Sequence, residues 1–159
     1  MPAMNNLGLS QEQYKEMETL CACFNLRRAA RAVTSHYDAL LQPFGIKATQ
    51  LAILVALKNL GPASMSVLAD TLVLDASSLS RNVAWLMKEG FVRQSRGRDG
   101  RVRPVVLTPK GERIISRAYP AWSNAQRAIE GSFSDREFNA ALTFLRRATD
   151  AALHVEEFD

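Results

Sequence analysis

Five arginines (Arg93, Arg96, Arg98, Arg101 and Arg103) fall within eleven residues, with Asp99 as the only acid among them. Guanidinium groups at that density make the electrostatic footprint that binds a phosphate backbone. The alternative reading of the same run is a solvated loop. A second set lies upstream, in Ala76–Glu89. At about 100° per residue, Leu79, Val83 and Leu86 form one narrow stripe and face a core. Ser77, Arg81, Ala84 and Lys88 fall opposite, with Ser78 and Ser80 on the flanks. A helix showing small polar side chains and one arginine enters a major groove without bulk in the way. Arg81 then reaches guanine O6 and N7 or a phosphate, and the serines reach phosphates or base edges. Trp85 sits between the two faces and reads as a packing residue, not a stacking platform.

Other chemistry is sparse. The sequence has no H-E-x-x-H, G-x-S-x-G, Walker loop or G-x-G-x-x-G, and His36 and His154 stand alone. An enzyme, a cofactor or a metal therefore has no residues to rest on. Cys21 and Cys23 carry two readings. On one continuous helix they point about 200° apart, so they cannot share a metal or join each other. They are either small apolar packing residues, one in the core and one at a subunit seam, or thiol sensors of oxidants or soft metalloids. In the second reading Arg27, four residues after Cys23, supports a thiolate.

The elements that position these residues follow from local signals. Ser10 with Gln13 makes a capping box. An apolar helical pattern then runs through Leu20, Phe24, Val33 and Leu41 to Pro43 and Gly45, a helix too long to bury one face in a small monomer. Gly61-Pro62 stops the next helix, begun near Ala48. Ser64 caps Met65–Leu72, and Asp75 caps Ala76–Glu89 before Gly90. Two β-rich segments, Phe91–Arg96 and Val102–Leu107, flank the turn Gly97-Arg98-Asp99-Gly100. Thr108-Pro109 starts another helix, expected to break near Pro120 and resume through Trp122 to Ile129. Ser134 with Glu137 opens the last one. This order is a winged helix-turn-helix: a mainly α fold with a small β-hairpin wing, flanked by N- and C-terminal dimerisation helices. The expected boundaries are 1–44 for the first dimerisation helix, 45–111 for the DNA-binding part, and 112–159 for the last helices.

Charge and composition agree. Residues 45–113 carry eleven basic and five acidic side chains, whereas the flanks are neutral or acidic. The 159 residues suit one domain plus an oligomerisation element. The longest apolar run, Leu51–Leu57, is far short of the roughly 20 residues of a membrane helix, and the polar N-terminus lacks a signal-peptide pattern. Two cysteines make no disulfide framework. A cytoplasmic protein with no membrane partner is expected. A winged helix serving only protein–protein contacts is the rival, and in that case charge reversal of the wing leaves function intact.

Residues 44–111 resemble the MarR family of bacterial transcriptional regulators. The stretch Asp99-Gly100-Arg101-Val102-Arg103-Pro104-Val105-Val106-Leu107-Thr108-Pro109-Lys110-Gly111 fits the family's D-x-R-x5-L-T-x-x-G pattern at every fixed position, and LADTLVLDASSLSRNVAWLMKEGFV is similar to its recognition-helix region. Lys47 departs from it, where relatives often place a Thr or Ser cap. The resemblance implies a homodimer on a pseudo-palindromic double-stranded operator. It also implies that Arg101 enters the minor groove with Asp99 orienting it; the plainer reading of Asp99 and Arg101 is a turn-stabilising ion pair, compatible with the first, and Arg96, Arg98 and Arg103 read as phosphate contacts. The resemblance further implies a small-molecule effector, often an aromatic acid or other lipophilic anion, held between the DNA-binding part and the dimer helices. Arg27, Arg28 and His36 are candidate neighbours of that site.

Overall fold

The computed structural model describes residues 8–95 and 103–154. Its helices are α1 (Gln11–Leu20), α2 (Ala22–Leu41), α3 (Ala48–Leu60), α4 (Met65–Leu72), α5 (Ala76–Lys88), α6 (Pro109–Glu130) and α7 (Asp135–Leu153), with a 3-10 turn over Gln42–Phe44. Strands β1 (Val92–Gln94) and β2 (Val105–Leu107) lie between α5 and α6 and pair antiparallel, with Arg93 opposite Val106. Ala63 forms a bridge to Val105, which ties the hairpin to the α3–α4 turn. Leu41, Ile53, Leu54, Leu68, Leu79, Leu86 and Val105 fill one core. Among the described residues, no single helix is long and apolar enough to cross a membrane.

The caps read from sequence form as expected. Ser10 and Ser134 make capping boxes with Gln13 and Glu137, and Ser64, Asp75 and Thr108 accept the amides of Val67, Ser78 and Gly111. Lys47 provides no side-chain cap. Instead, the Lys47 amide donates to Gln50 Oε1 at 2.9 Å and the Ala48 amide to Asp38 Oδ1 at 2.7 Å. A carboxylate from α2 thus caps α3.

Three expectations are corrected. The first long helix is two helices, because Cys21 has ψ 112° and leaves the helical region. Asn25 stabilises that break: its Nδ2 donates at 3.1 Å to Thr19 O, a carbonyl the break leaves without a helical partner, and at 3.0 Å to Cys21 O, which also accepts the Asn25 amide. Pro120, in contrast, breaks nothing. It costs α6 one backbone donor, but buried Ala118 and Ala125 hold the helix to its neighbours on either side. The described strands are also shorter than read, three residues each, with Ser95 still donating to Pro104 O at 2.9 Å.

Candidate nucleic-acid interface

Helix α5 buries Leu79, Val83 and Leu86 and exposes Ser77, Ser80, Arg81, Ala84 and Lys88, with Ser78 half-buried. The residues at its N-terminus are linked. The Ser77 hydroxyl donates to Asp75 Oδ1 at 2.6 Å, and the Ser78 amide donates to the same oxygen at 2.8 Å. The Ser77 hydroxyl, followed by the Ser78 amide, holds the Asp75 carboxyl well below the usual carboxylate range. Arg81 Nη2 donates to Ser78 Oγ at 3.3 Å, and Asn82 Nδ2 to Ser78 O at 2.9 Å. Asp75, Ser78 and Arg81 therefore form one chain that orients the guanidinium. Sequence reasoning found Asp75 as a cap but missed Asn82 and this linkage. Trp85 packs against Phe91, its ring centroid 6.1 Å away, as a packing residue does.

The hairpin is fixed to α5 by the Leu107–Gly111 run. Thr108 Oγ1 lies 2.7 Å from Gly90 O and 3.0 Å from Phe91 O, where it donates, and it accepts the Gly111 amide at 3.1 Å. Lys110 donates to Glu89 O at 2.5 Å and lies over the Phe91 ring. A Cβ on Gly111 would stand 2.2 Å from Phe91 O and 2.6 Å from Leu107 Cδ1, so only glycine fits the packed backbone. Arg103 is exposed beside β2. Arg96, Arg98, Asp99 and Arg101 lie outside the described residues.

A second feature lies behind this surface. A cavity of about 370 Å³ opens between α2, α3 and α6, lined by Tyr37, Leu41, Ala48, Leu51, Ala52, Val55, Ile115, Tyr119 and Trp122. Tyr119 and Trp122 stack, with centroids 5.6 Å apart and planes 28° apart. The Tyr37 hydroxyl donates to Gln126 Oε1, and Gln126 Nε2 donates to Glu130 at 2.7 Å. Burial, then the Glu130 charge, pushes the Tyr37 phenol up. Arg27, Arg28 and His36 do not line this cavity. Arg27 and Arg28 are exposed, Arg28 lying 5.6 Å over the Phe24 ring. The buried His36 Nε2 has no hydrogen-bond partner among the described groups. The i, i+3 pair Tyr119/Trp122 was the available sequence signal for this site.

Cys21 and Cys23 are both exposed free thiols, which argues against core packing within this chain. They do not share one continuous helix. Cys21 is the N-cap of α2, its Sγ accepting the Phe24 amide at 3.4 Å.

Comparison with known proteins agrees with the geometry. A model of the MarR family matches residues 44–102. The chain is 32% identical to the Mycobacterium tuberculosis transcriptional regulator MosR, solved in complex with DNA; the match covers 83% of this chain and 98% of that one, with a TM-score of 0.72. A probable transcriptional regulator from Pseudomonas aeruginosa is 28% identical over 80% of this chain and 96% of its own, with a TM-score of 0.70. The Bacillus subtilis HTH-type regulator YwoH, itself uncharacterized, is 28% identical over 115 residues, which are 72% of this chain and 84% of that protein.

Proposed function

The chain belongs to the MarR family and is a DNA-binding transcriptional regulator, not an enzyme, and from that premise we propose that it is a cytoplasmic homodimeric repressor released from its operator by a chemical signal. Helix α5 would lie in the major groove, where Arg81 reads a base edge or grips phosphate, with Ser77, Ser80 and Lys88 beside it. Ser78 would position Arg81. Arg101, oriented by Asp99, would enter the minor groove, and Arg96, Arg98 and Arg103 would meet phosphates. The observation that carries this is the exposed α5 face, on which Asp75 and Ser78 hold one arginine in place next to a basic hairpin. Two copies of α5 related by a two-fold axis would meet half-sites about one helical turn apart. The expected division of labour is residues 1–44 and 112–159 for dimerisation and 45–111 for DNA.

Binding by Arg101→Ala and Arg98→Ala tests this. Arg101→Ala should lose most sequence-specific affinity while its stability stays within about ±0.5 kcal/mol of the parent. Arg98→Ala should weaken all sequences alike and lower the salt slope by about 1. Equal affinity of Arg101→Ala and the parent at physiological salt would end the wing assignment.

The signal has two candidate receptors. One is the cavity between α2, α3 and α6, which joins the DNA-binding helices to those at the chain ends. The other is the Cys21/Cys23 pair at the hinge between α1 and α2. The Cys23–Arg27 spacing favours Cys23 as the sensor, whereas the break in the backbone favours Cys21, so both are tested. Peroxide or arsenite should release the parent protein from DNA but not the responsible Cys→Ser variant. Equal affinity with and without either reagent would reduce the thiols to bystanders.

A further inference from the structure

Going deeper into the effector reading of the cavity, and resting on it, we infer that the site takes an uncharged, flat, lipophilic molecule carrying at most a hydrogen-bond donor, and that it rejects aromatic carboxylates. The resemblance alone points the other way, toward a lipophilic anion. The lining decides the matter. Of its nine residues, Tyr37 and Tyr119 alone are ionisable, and no lysine, arginine or histidine is among them. The volume of about 370 Å³ falls in the usual range for a small-molecule site. A carboxylate seated against such walls would shed part of its hydration with no cation to replace it.

The hydrogen bonds at the polar end set the preferred ligand chemistry. Glu130 accepts from Gln126 Nε2, which fixes the orientation of the amide; reversing it would set oxygen against carboxylate. Gln126 Oε1 therefore faces Tyr37 and takes its hydroxyl proton. The Tyr37 oxygen is left with lone pairs alone to offer. A ligand O–H or N–H complements it, whereas a carboxylate would meet lone pairs with the Glu130 charge behind them. Burial and that same charge keep the phenol protonated, as the arrangement requires. The stacked rings of Tyr119 and Trp122 provide a wall for a flat ring system.

Calorimetric titration of the full-length protein with three probes tests this: 2-naphthalenemethanol (neutral donor), 2-methoxynaphthalene (neutral, no donor) and 2-naphthoate (anion). The expected order of affinity is alcohol, ether, carboxylate, with the alcohol ahead of the carboxylate by about tenfold or more. Ala52→Phe, built from an exposed lining position, should block all naphthyl binding. Tyr37→Phe should remove the alcohol's advantage over the ether and leave the ether's affinity unchanged. Naphthoate binding as tightly as the alcohol, and blocked by Ala52→Phe, would overturn the charge selection yet leave the cavity as an effector site. If no probe binds, or if Ala52→Phe blocks nothing, the inference and the effector role of this cavity both fail. If Ala52→Phe does not fold, the Tyr37→Phe comparison decides alone: an unchanged gap between alcohol and ether refutes the polar-end chemistry.

Discussion

Asp75 is a fully exposed carboxylate whose proton affinity is lowered by the Ser77 hydroxyl and the Ser78 amide. A carboxyl with a folded pKa below its unfolded one stabilises the fold above the unfolded value, and that contribution is lost as pH falls through the folded one. Asp75→Asn should therefore be less stable than the parent at neutral pH, and the gap should close as the solution is acidified below the usual carboxylate range. Denaturant midpoints of both proteins across that acid limb measure it; a gap independent of pH would show that the charge adds nothing. The commitment of the Ser77 hydrogen to Asp75 also leaves its oxygen as an acceptor, better suited to a base amino group than to a phosphate. Gly111 argues from space alone. A methyl there would collide with the Phe91 carbonyl at 2.2 Å. Gly111→Ala should cost about 1–3 kcal/mol by forcing α6 away from the hairpin. At about 2–4 °C per kcal/mol, thermal unfolding would resolve the loss.

At the scale of elements, the turn between α4 and α5 holds a strained residue. Val73 has φ 50° and ψ 47°, and among the described residues it is the one non-glycine with positive φ. A β-branched side chain there clashes with its own backbone. The side chain is 55% exposed, so little burial offsets the strain. Val73→Asn should stabilise the protein by about 0.5–1 kcal/mol, read as a higher urea midpoint with unchanged slope; a lower midpoint would mean that Val73 packs against something the strain serves. This turn was legible only in part. Ser64, Leu72 and Asp75 bound both helices because caps act over three residues of sequence, but nothing in Val73 announces αL. The same limit explains the other gaps. The break at Cys21 depends on Asn25 reaching back to Thr19 and Cys21, while the apolar period runs on through it. Pro120 looked like a stop because its local cost is visible and the packing of α6 on α2 is not. The exposed face of α5 was readable from period alone. The cavity was not, since Tyr37, Leu51 and Trp122 meet only after three helices pack.

For the whole molecule, the question is what covers the helices at the chain ends. No residue of α1 or α7 is buried, and Phe144, Leu145 and Leu153 of α7 are 56%, 45% and 58% exposed. An amphipathic helix with an open apolar face is stable only when another surface covers it. A shallow groove beside that face is apolar too, with Leu26, Ala29 and Val33 of α2 opposite Leu145, Ala148 and Leu153 of α7. A second copy would bury these faces and set two α5 helices at a fixed spacing. Replacing both Phe144 and Leu145 by Asp should thus weaken self-association by about a hundredfold, roughly 3 kcal/mol, and light scattering at micromolar concentration should find monomer. DNA binding then gives an independent reading. Each half-site contributes its own phosphate contacts, and the dependence of affinity on salt counts them. A monomer that keeps its winged domain should bind with about half the parent's log–log salt slope and lose the preference for paired half-sites. If the double variant stays dimeric, or keeps the parent's slope as a monomer, the α7 face is not the seam that couples the two DNA-binding units.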